Sequence, residues 1–542
     1  MTEYLSLAFL VDPFDSVPPA LVVSSGDDAR SEVSLAEIGC YASPLITYDA
    51  WRLVDLLRRV RCPLPRRLID IGDALRLQSG LSRDQGGERH WSVWSATRDS
   101  FDAPRDADVL ESLIEAKTVW PTRSEVLRLL ASAAGGIRRA WPKIYTGLRQ
   151  SGEEIRFVDV EVPVQQIFLS RQHAGIQTDK NEIERLLDTV RMEKYSAYRK
   201  VATVLGFAPE SLTFRNVGPF LARTDARHLA EFSDGSIEEH FKMAQEQSSF
   251  ARSFLSYMRA KRNLAILTRA SGSEARLHPV FSCFGTVTGR ILVAEPRIQE
   301  LRRRYRGILC ADQGKELRYL DYAQFEPGIL ADRARDETFL RQYNSSDLYK
   351  SLSRAVFADI DHRAVCKRIF LAYCYGMTAE NIAKLLAGPQ FNLEALIRFR
   401  DAVSGFFGAF PGLEVYRRSV TEELERTGSI GTLLGNRRIR LSTGPLDNKE
   451  RRWAISQSIQ GSASLIFKQA MIQLAKRFGN DSILVPMHDA VLMQFDRREV
   501  GSAEAVAKGI MAAVFQAHCP SIQPRVVSAS FVEEAPSALA PG

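Results

Sequence analysis

The chain has 542 residues, 45% hydrophobic and 25% charged, with a formal net charge of +7; this is ordinary globular composition, enough for roughly three or four domains, and the basic excess suits a polyanionic partner. No apolar run approaches the roughly 20 residues that cross a bilayer, and Glu3 and Asp12 stand where a secretion leader would be basic and then apolar, so a chain neither membrane-bound nor secreted is expected. Cys40, Cys62, Cys283, Cys310, Cys366, Cys374 and Cys519 are scattered without a C-x-x-C pair, which argues against a disulfide framework or a structural zinc site and for free thiols in a reducing compartment.

Residues 1–150 read as a separate α/β unit: a strand-like Tyr4–Val11, a second apolar run at Ala20–Ser24 and a helical pattern at Trp51–Val60. Within it Ser79–Arg89 reads as a loop, and Arg149–Glu154 as a linker at its end. A long charged helix is expected over Lys180–Leu205 and a second over Glu239–Arg269. After Leu277 short apolar segments alternate with helices, as strands of a sheet interrupted by a helical insertion would. Arginines cluster at 302–306, at 437–440 and at 451–452, beside the segments considered next. Ala535–Gly542 reads as a frayed tail.

In Leu317–Glu326, LRYLDYAQFE, alternation puts Leu317, Tyr319 and Asp321 on one strand face, with Asp321 at the strand end. In Ile483–Phe495, ILVPMHDAVLMQF, two β-type runs flank His488 and Asp489, as in a hairpin that lifts its polar tip into a cleft. Phosphoryl transfer from a triphosphate uses two metal ions about 3.5–4 Å apart, and shared carboxylates such as Asp321 and Asp489 suit them. In Arg363–Gly376, RAVCKRIFLAYCYG, the residues Arg363, Lys367, Leu371 and Tyr375 recur every four positions along one helix face. Cations a turn apart there can hold triphosphate oxygens and the charge that develops on departing pyrophosphate.

In that order, D-Y-A-Q-F-E, R-x3-K-x7-Y-G and H-D resemble motifs A, B and C of family A DNA polymerases, the bacterial DNA polymerase I type. Thr286–Gln299, TVTGRILVAEPRIQ, Arg452–Gly461, RWAISQSIQG, and Thr213–Leu221 are similar to further family segments, so the resemblance covers roughly 160–530. It implies an α/β multidomain fold: a right-handed polymerase over 160–542, with a thumb about 178–275, a palm about 276–335 and 449–535, and fingers about 336–448, preceded by an RNase H-like, exonuclease-type α/β domain over 1–150. It implies metal binding by Asp321 and Asp489, and nucleotide binding by Gln324, Glu326, Arg363, Lys367, Leu371, Tyr375 and Gly376. Glu326 would block a ribose 2′-hydroxyl, which argues against the related single-subunit phage RNA polymerases. Arg290, Gln299, Arg452, Gln460 and His488 would contact DNA. Primer-template DNA, deoxynucleoside triphosphates and two Mg2+ ions, with Mn2+ a tolerated substitute, are the implied partners, for a monomer in the nucleoid-containing cytoplasm or in a virus-infected cell.

Three positions depart from the family pattern: Leu371 replaces an aromatic, Ala490 replaces a glutamate after His488 and Asp489, and Pro327 with Gly328 follow Glu326 where a helix usually begins. The expected D-x-E of the nuclease is replaced by Asp12, Pro13, Phe14 and Asp15, and Val126–Gly152 holds no acidic residue, so a degenerate domain without proofreading is expected. A second reading stays open: a catalytically weak or inactive polymerase fold that binds primer-template ends as a structural or regulatory module.

Overall fold

A computed structural model describes residues 4–12, 17–26, 29–82, 92–231, 237–272, 275–387 and 392–532. Glu3, Asp15, most of Ser79–Arg89 and the tail from Ala535 lie outside the described residues. No helix among the described residues is long and apolar enough to cross a membrane.

The N-terminal unit is a five-stranded sheet in the order Arg30–Glu32, Ala20–Ser24, Leu5–Leu10, Leu45–Thr47, Leu68–Asp70. Leu5–Leu10 pairs antiparallel with Ala20–Ser24 and parallel with Leu45–Thr47. Every residue of Ala20–Ser24 is buried, which is why it reads as a continuous apolar run instead of an alternating one. The Arg123–Gln150 helix packs on the sheet through Ala133 and Ala134, and the Ser6 hydroxyl donates to the Ala134 carbonyl at 2.7 Å.

The expected linker at Arg149–Glu154 is instead a tight turn into a second helix. Residues 154–174 form one run in which Phe157–Glu161 is a π-turn, with the Val162 amide donating back to the Phe157 carbonyl. In an α-helix residues five apart lie about 140° round from each other, whereas an i→i+5 turn sets them nearly one above the other. Arg156 and Glu161 therefore share a face, and Arg156 Nε donates to Glu161 Oε1 at 2.6 Å. Glu161 also accepts from Lys468 of the Asn448–Phe478 helix, and all three side chains are buried. Burial alone would raise the Glu161 carboxyl, but Lys468 and Arg156 outweigh it and hold it below its ordinary value. Phe157 packs on Trp141 of the N-terminal core while Val160 and Val164 enter the core of the remaining chain, so one helix belongs to both.

Lys180–Leu205 is a helix capped by Asp179, as the sequence indicates. The pattern over Glu239–Arg269 breaks, however, into Ile237–Ala244 and Ser249–Ser271. Ser248 caps the second helix and the Asp225 carboxylate accepts from the Ser249 and Phe250 amides, so side chains satisfy a new helix start that periodicity does not register.

A four-stranded antiparallel sheet in the order Ile483–Met487, Ala490–Asp496, Lys315–Tyr322, Val526–Ser528 forms the base, with helices between Phe325 and Thr427 inserted after its first strand. Pro327 and Gly328 do not prevent a helix at Phe325–Ala334: Pro327 lies in the first turn, where its missing N–H has no intrahelical partner to lose. Gly328 is needed for packing, because a methyl group there would stand 2.6 Å from Tyr343 Oη and 2.9 Å from Phe515 Cζ. Gly328→Ala should cost about 1–3 kcal/mol by overpacking, read as a lower urea midpoint at unchanged slope.

Candidate active site

Asp321 faces Ala490 across the two central strands, and the Tyr322 amide donates to the Asp489 carbonyl at 3.3 Å. Asp321 and Asp489 therefore meet at one end of the sheet. The turn that raises Asp489 is tight, since Met487 pairs with Ala490 and only His488 and Asp489 reverse the chain. His488 takes φ +63, a left-handed conformation that non-glycine residues pay about 1–3 kcal/mol to hold and that recurs at functional sites.

Both aspartates line a cavity of about 360 Å3 that Arg363, Lys367 and Leu371 also line. Burial, and then the charge of Asp489, push the Asp321 carboxyl up to about 6 against the pull of Lys367 and Arg303. The Arg363–Cys374 helix supplies these three, while Phe370, one step round, packs inward on Phe339, Tyr349 and Phe407. Leu371 thus lines the cavity, and Phe370 does not stand in for it. Arg363 Nε donates to Asp347 at 2.8 Å, and the guanidinium lies over the Tyr349 ring. Lys367 is exposed and forms no salt bridge among the described residues, though its charge acts on Asp321.

Glu326, buried in the first turn of the Phe325–Ala334 helix, accepts from Arg290 Nη2 and from Tyr375 Oη, the latter at 2.5 Å. Burial raises its carboxyl while Arg290 opposes the rise. Three distant segments are locked together by one carboxylate.

The sequence model of DNA polymerase family A matches residues 221–527, more than half of the chain. The chain belongs to DNA polymerase family A. It is 22% identical over 423 residues to DNA polymerase I of Helicobacter pylori, covering 73% of this chain and 46% of that protein. It is 26% identical over 400 residues to DNA polymerase I of Mycobacterium tuberculosis, covering 67% and 43%, and 24% identical over 457 residues to the thermostable DNA polymerase I of Thermus thermophilus, covering 80% and 50%. The chain thus spans about half the length of the relatives it matches. The fold is similar to the POL domain of Pol1 from M. smegmatis, solved in complex with DNA primer-template and dNTP, with a TM-score of 0.70 at 20% identity over 97% of this chain and 94% of that one.

Other expected site residues of this family A chain gather nearby. Arg290, His488 and Asp489 line one narrow cleft, and burial holds the His488 imidazole below its ordinary value despite Asp489. Gln460 lies beside the Tyr375 hydroxyl. Gly376, with φ +96, and Arg452 border a second cavity of about 460 Å3 together with Arg417, Arg418 and Arg451. Gln324, expected at the nucleotide, does line the first cavity, but its side-chain oxygen accepts from the Leu348 amide at 2.9 Å.

Gln299, expected at DNA, is buried, accepts from the Val293 amide and donates to the carbonyls of Ile291 and Pro486, tying backbone segments together. The 437–440 arginines are likewise engaged internally: Arg440 pairs with Glu450, and Arg438 lies over Trp453. Asp347, Tyr349 and Arg525 line the first cavity without having been singled out in the sequence. Asp347 caps the Leu348–Phe357 helix and reads locally as nothing more, while Arg525 is a lone cation near the C-terminal strand with no local signal.

Proposed function

We propose that this chain is a template-directed DNA polymerase that extends a primer 3′ end with deoxynucleoside triphosphates, without proofreading. The observation that carries the reading is the pair Asp321 and Asp489 in one cavity with the cations Arg363 and Lys367. Two like charges forced together, one carboxyl raised to about 6, form a hard-oxygen donor set that a divalent cation would relieve. Among the described residues no group of three or more metal-ligating side chains exists, so the fit is to Mg2+, which keeps waters and takes substrate phosphates as its remaining ligands. Bound there, two such ions would neutralise the charge developing on the attacking and leaving oxygens.

The chain's own residues do the rest. Lys367 and Arg363 meet the triphosphate, Arg363 exchanging Asp347 for a phosphate oxygen. Glu326 closes the space beside the sugar, held by Arg290 and Tyr375. Arg290 also reaches the minor-groove edge, where acceptors common to the base pairs make it a check on geometry and not on sequence.

The N-terminal strand order and mixed pairing support an exonuclease-like ancestry. Two of its carboxylates work as caps: Asp49 accepts from the Arg52 amide, and Asp70 from the amides of Ala50 and Gly72. Burial, then Asp73 and Asp49, push the Asp70 carboxyl up to about 8.

Primer extension tests the proposal: with Mg2+ the parent should add nucleotides to a templated primer. A protein that shifts primer-template DNA in a gel yet adds nothing, even with Mn2+, would be the binding module instead, a reading that Ala490 and Leu371 favour. Glu326→Ala should raise ribonucleotide incorporation about 10- to 100-fold relative to deoxynucleotides, measured by competition between the two triphosphates.

A further inference from the structure

The helix shared by the N-terminal core and the remaining chain does more than join them. Glu153, buried at its start, accepts from the amides of Asn436 at 2.7 Å and Arg437 at 3.0 Å. Arg156, one turn on, donates to the Leu434 carbonyl at 3.1 Å. Between them they grip the Thr432–Arg437 turn, which contains two left-handed residues, Gly435 and Asn436, and whose Asn436 carbonyl accepts from Gln457. From the N-terminal unit itself, the Gly80 carbonyl accepts from the Ile439 amide.

That turn lies directly behind two residues read above as DNA contacts. A methyl group on Gly289, the neighbour of Arg290, would stand 3.3 Å from Arg156 Nη2 and 3.2 Å from Asn436 Nδ2. Neither of these buried donors finds an acceptor among the described residues, so what each meets on this side is the Gly289 backbone, while the Arg156 guanidinium is anchored by Glu161 and the Leu434 carbonyl. The Gly289 carbonyl in turn accepts from Ser464. On the other side, a methyl group on Gly461, the neighbour of Gln460, would meet Thr432 Cγ2 at 2.5 Å. The chain of contact runs from Glu153 and Arg156 through the turn to Gly289 and Gly461, and so to Arg290 and Gln460.

We infer that Glu153 and Arg156 are positioning residues for the primer terminus: the N-terminal unit serves synthesis as a buttress that sets Arg290 and Gln460. This rests on the polymerase reading above. A group that needs placement to within about 0.5 Å depends on the shell behind it, and a misplacement of 1 Å can cost about 100-fold in rate.

The test compares the parent with Arg156→Met, Arg156→Lys, Glu153→Gln and Arg290→Ala on primers ending in guanine or 3-deazaguanine, which lacks the minor-groove N3 acceptor. The parent should extend the 3-deaza primer more slowly, and Arg290→Ala should not distinguish the two. Arg156→Met and Glu153→Gln should lower kcat about tenfold with KM for the nucleotide within about twofold, and should shrink the 3-deazaguanine penalty toward that of Arg290→Ala. Arg156→Lys, which keeps the cation beside Glu161, should keep most of the penalty. A merely structural role would lower activity on both primers equally. No penalty in the parent, or a penalty unchanged in Arg156→Met and Glu153→Gln, overturns the inference; if Arg156→Met does not fold, Glu153→Gln decides alone. A parent that extends no primer at all defeats the polymerase reading instead.

Discussion

Asp321→Asn should abolish primer extension, by at least about 10²–10³-fold as for loss of one preorganised electrostatic group, while raising the melting temperature of the metal-free protein. The two effects share a cause. Asp321 is held next to Asp489 by strand register, and burial makes their mutual repulsion costly. Replacing one carboxylate by an isosteric amide removes that repulsion and, with it, half of the negative charge that can grip a cation. A gain of a few degrees in a thermal melt, together with a flat time course in extension, is the expected pair of results. An Asp321→Asn protein that still extends primers at near-parental rate would refute the assignment of this site.

Glu161→Gln should destabilise the protein by about 3–5 kcal/mol, because removing one member of a buried ion cluster leaves uncompensated charge. Here the charge left behind is double: Arg156 and Lys468 both turn to this carboxylate, and both side chains are fully buried. Urea unfolding should show the loss as a reduced midpoint. Replacing all three side chains by apolar residues, Arg156→Met, Glu161→Leu and Lys468→Met together, should recover most of it, since well-packed hydrophobic residues often match a buried ion group. The parent's stability should also depend on pH. A carboxyl depressed below its ordinary value of 4.5 contributes fully above that pH and progressively less as pH falls through the depressed value.

What could be read from the sequence was what local periodicity encodes. Alternation in LRYLDYAQFE and the His488-Asp489 break in ILVPMHDAVLMQF point to two strands and a turn, and the four-residue recurrence of Arg363, Lys367 and Leu371 points to one helix face. What could not be read depends on partners far along the chain. Glu153 and Arg156 sit in a polar stretch that looks solvated, yet their partners lie near residue 436. Gln299 carries a polar side chain whose three backbone partners only the fold brings within reach. Arg363 reads as a free cation and is tethered by Asp347, itself legible only as a helix cap. The break at residues 245–248 hides inside an unbroken apolar rhythm because its cause, Asp225, comes earlier in the chain.

The exposed glycine at position 152, with φ +74, marks the obvious place for a protease to nick the chain. Severing it would leave two fragments still interlocked, since Phe157 stays wedged against Trp141 and Leu68 keeps its bonds to Gln166. The cleaved halves should co-elute on gel filtration and separate only in denaturant. Covalent continuity at that seam is therefore dispensable, and the grip across it is not.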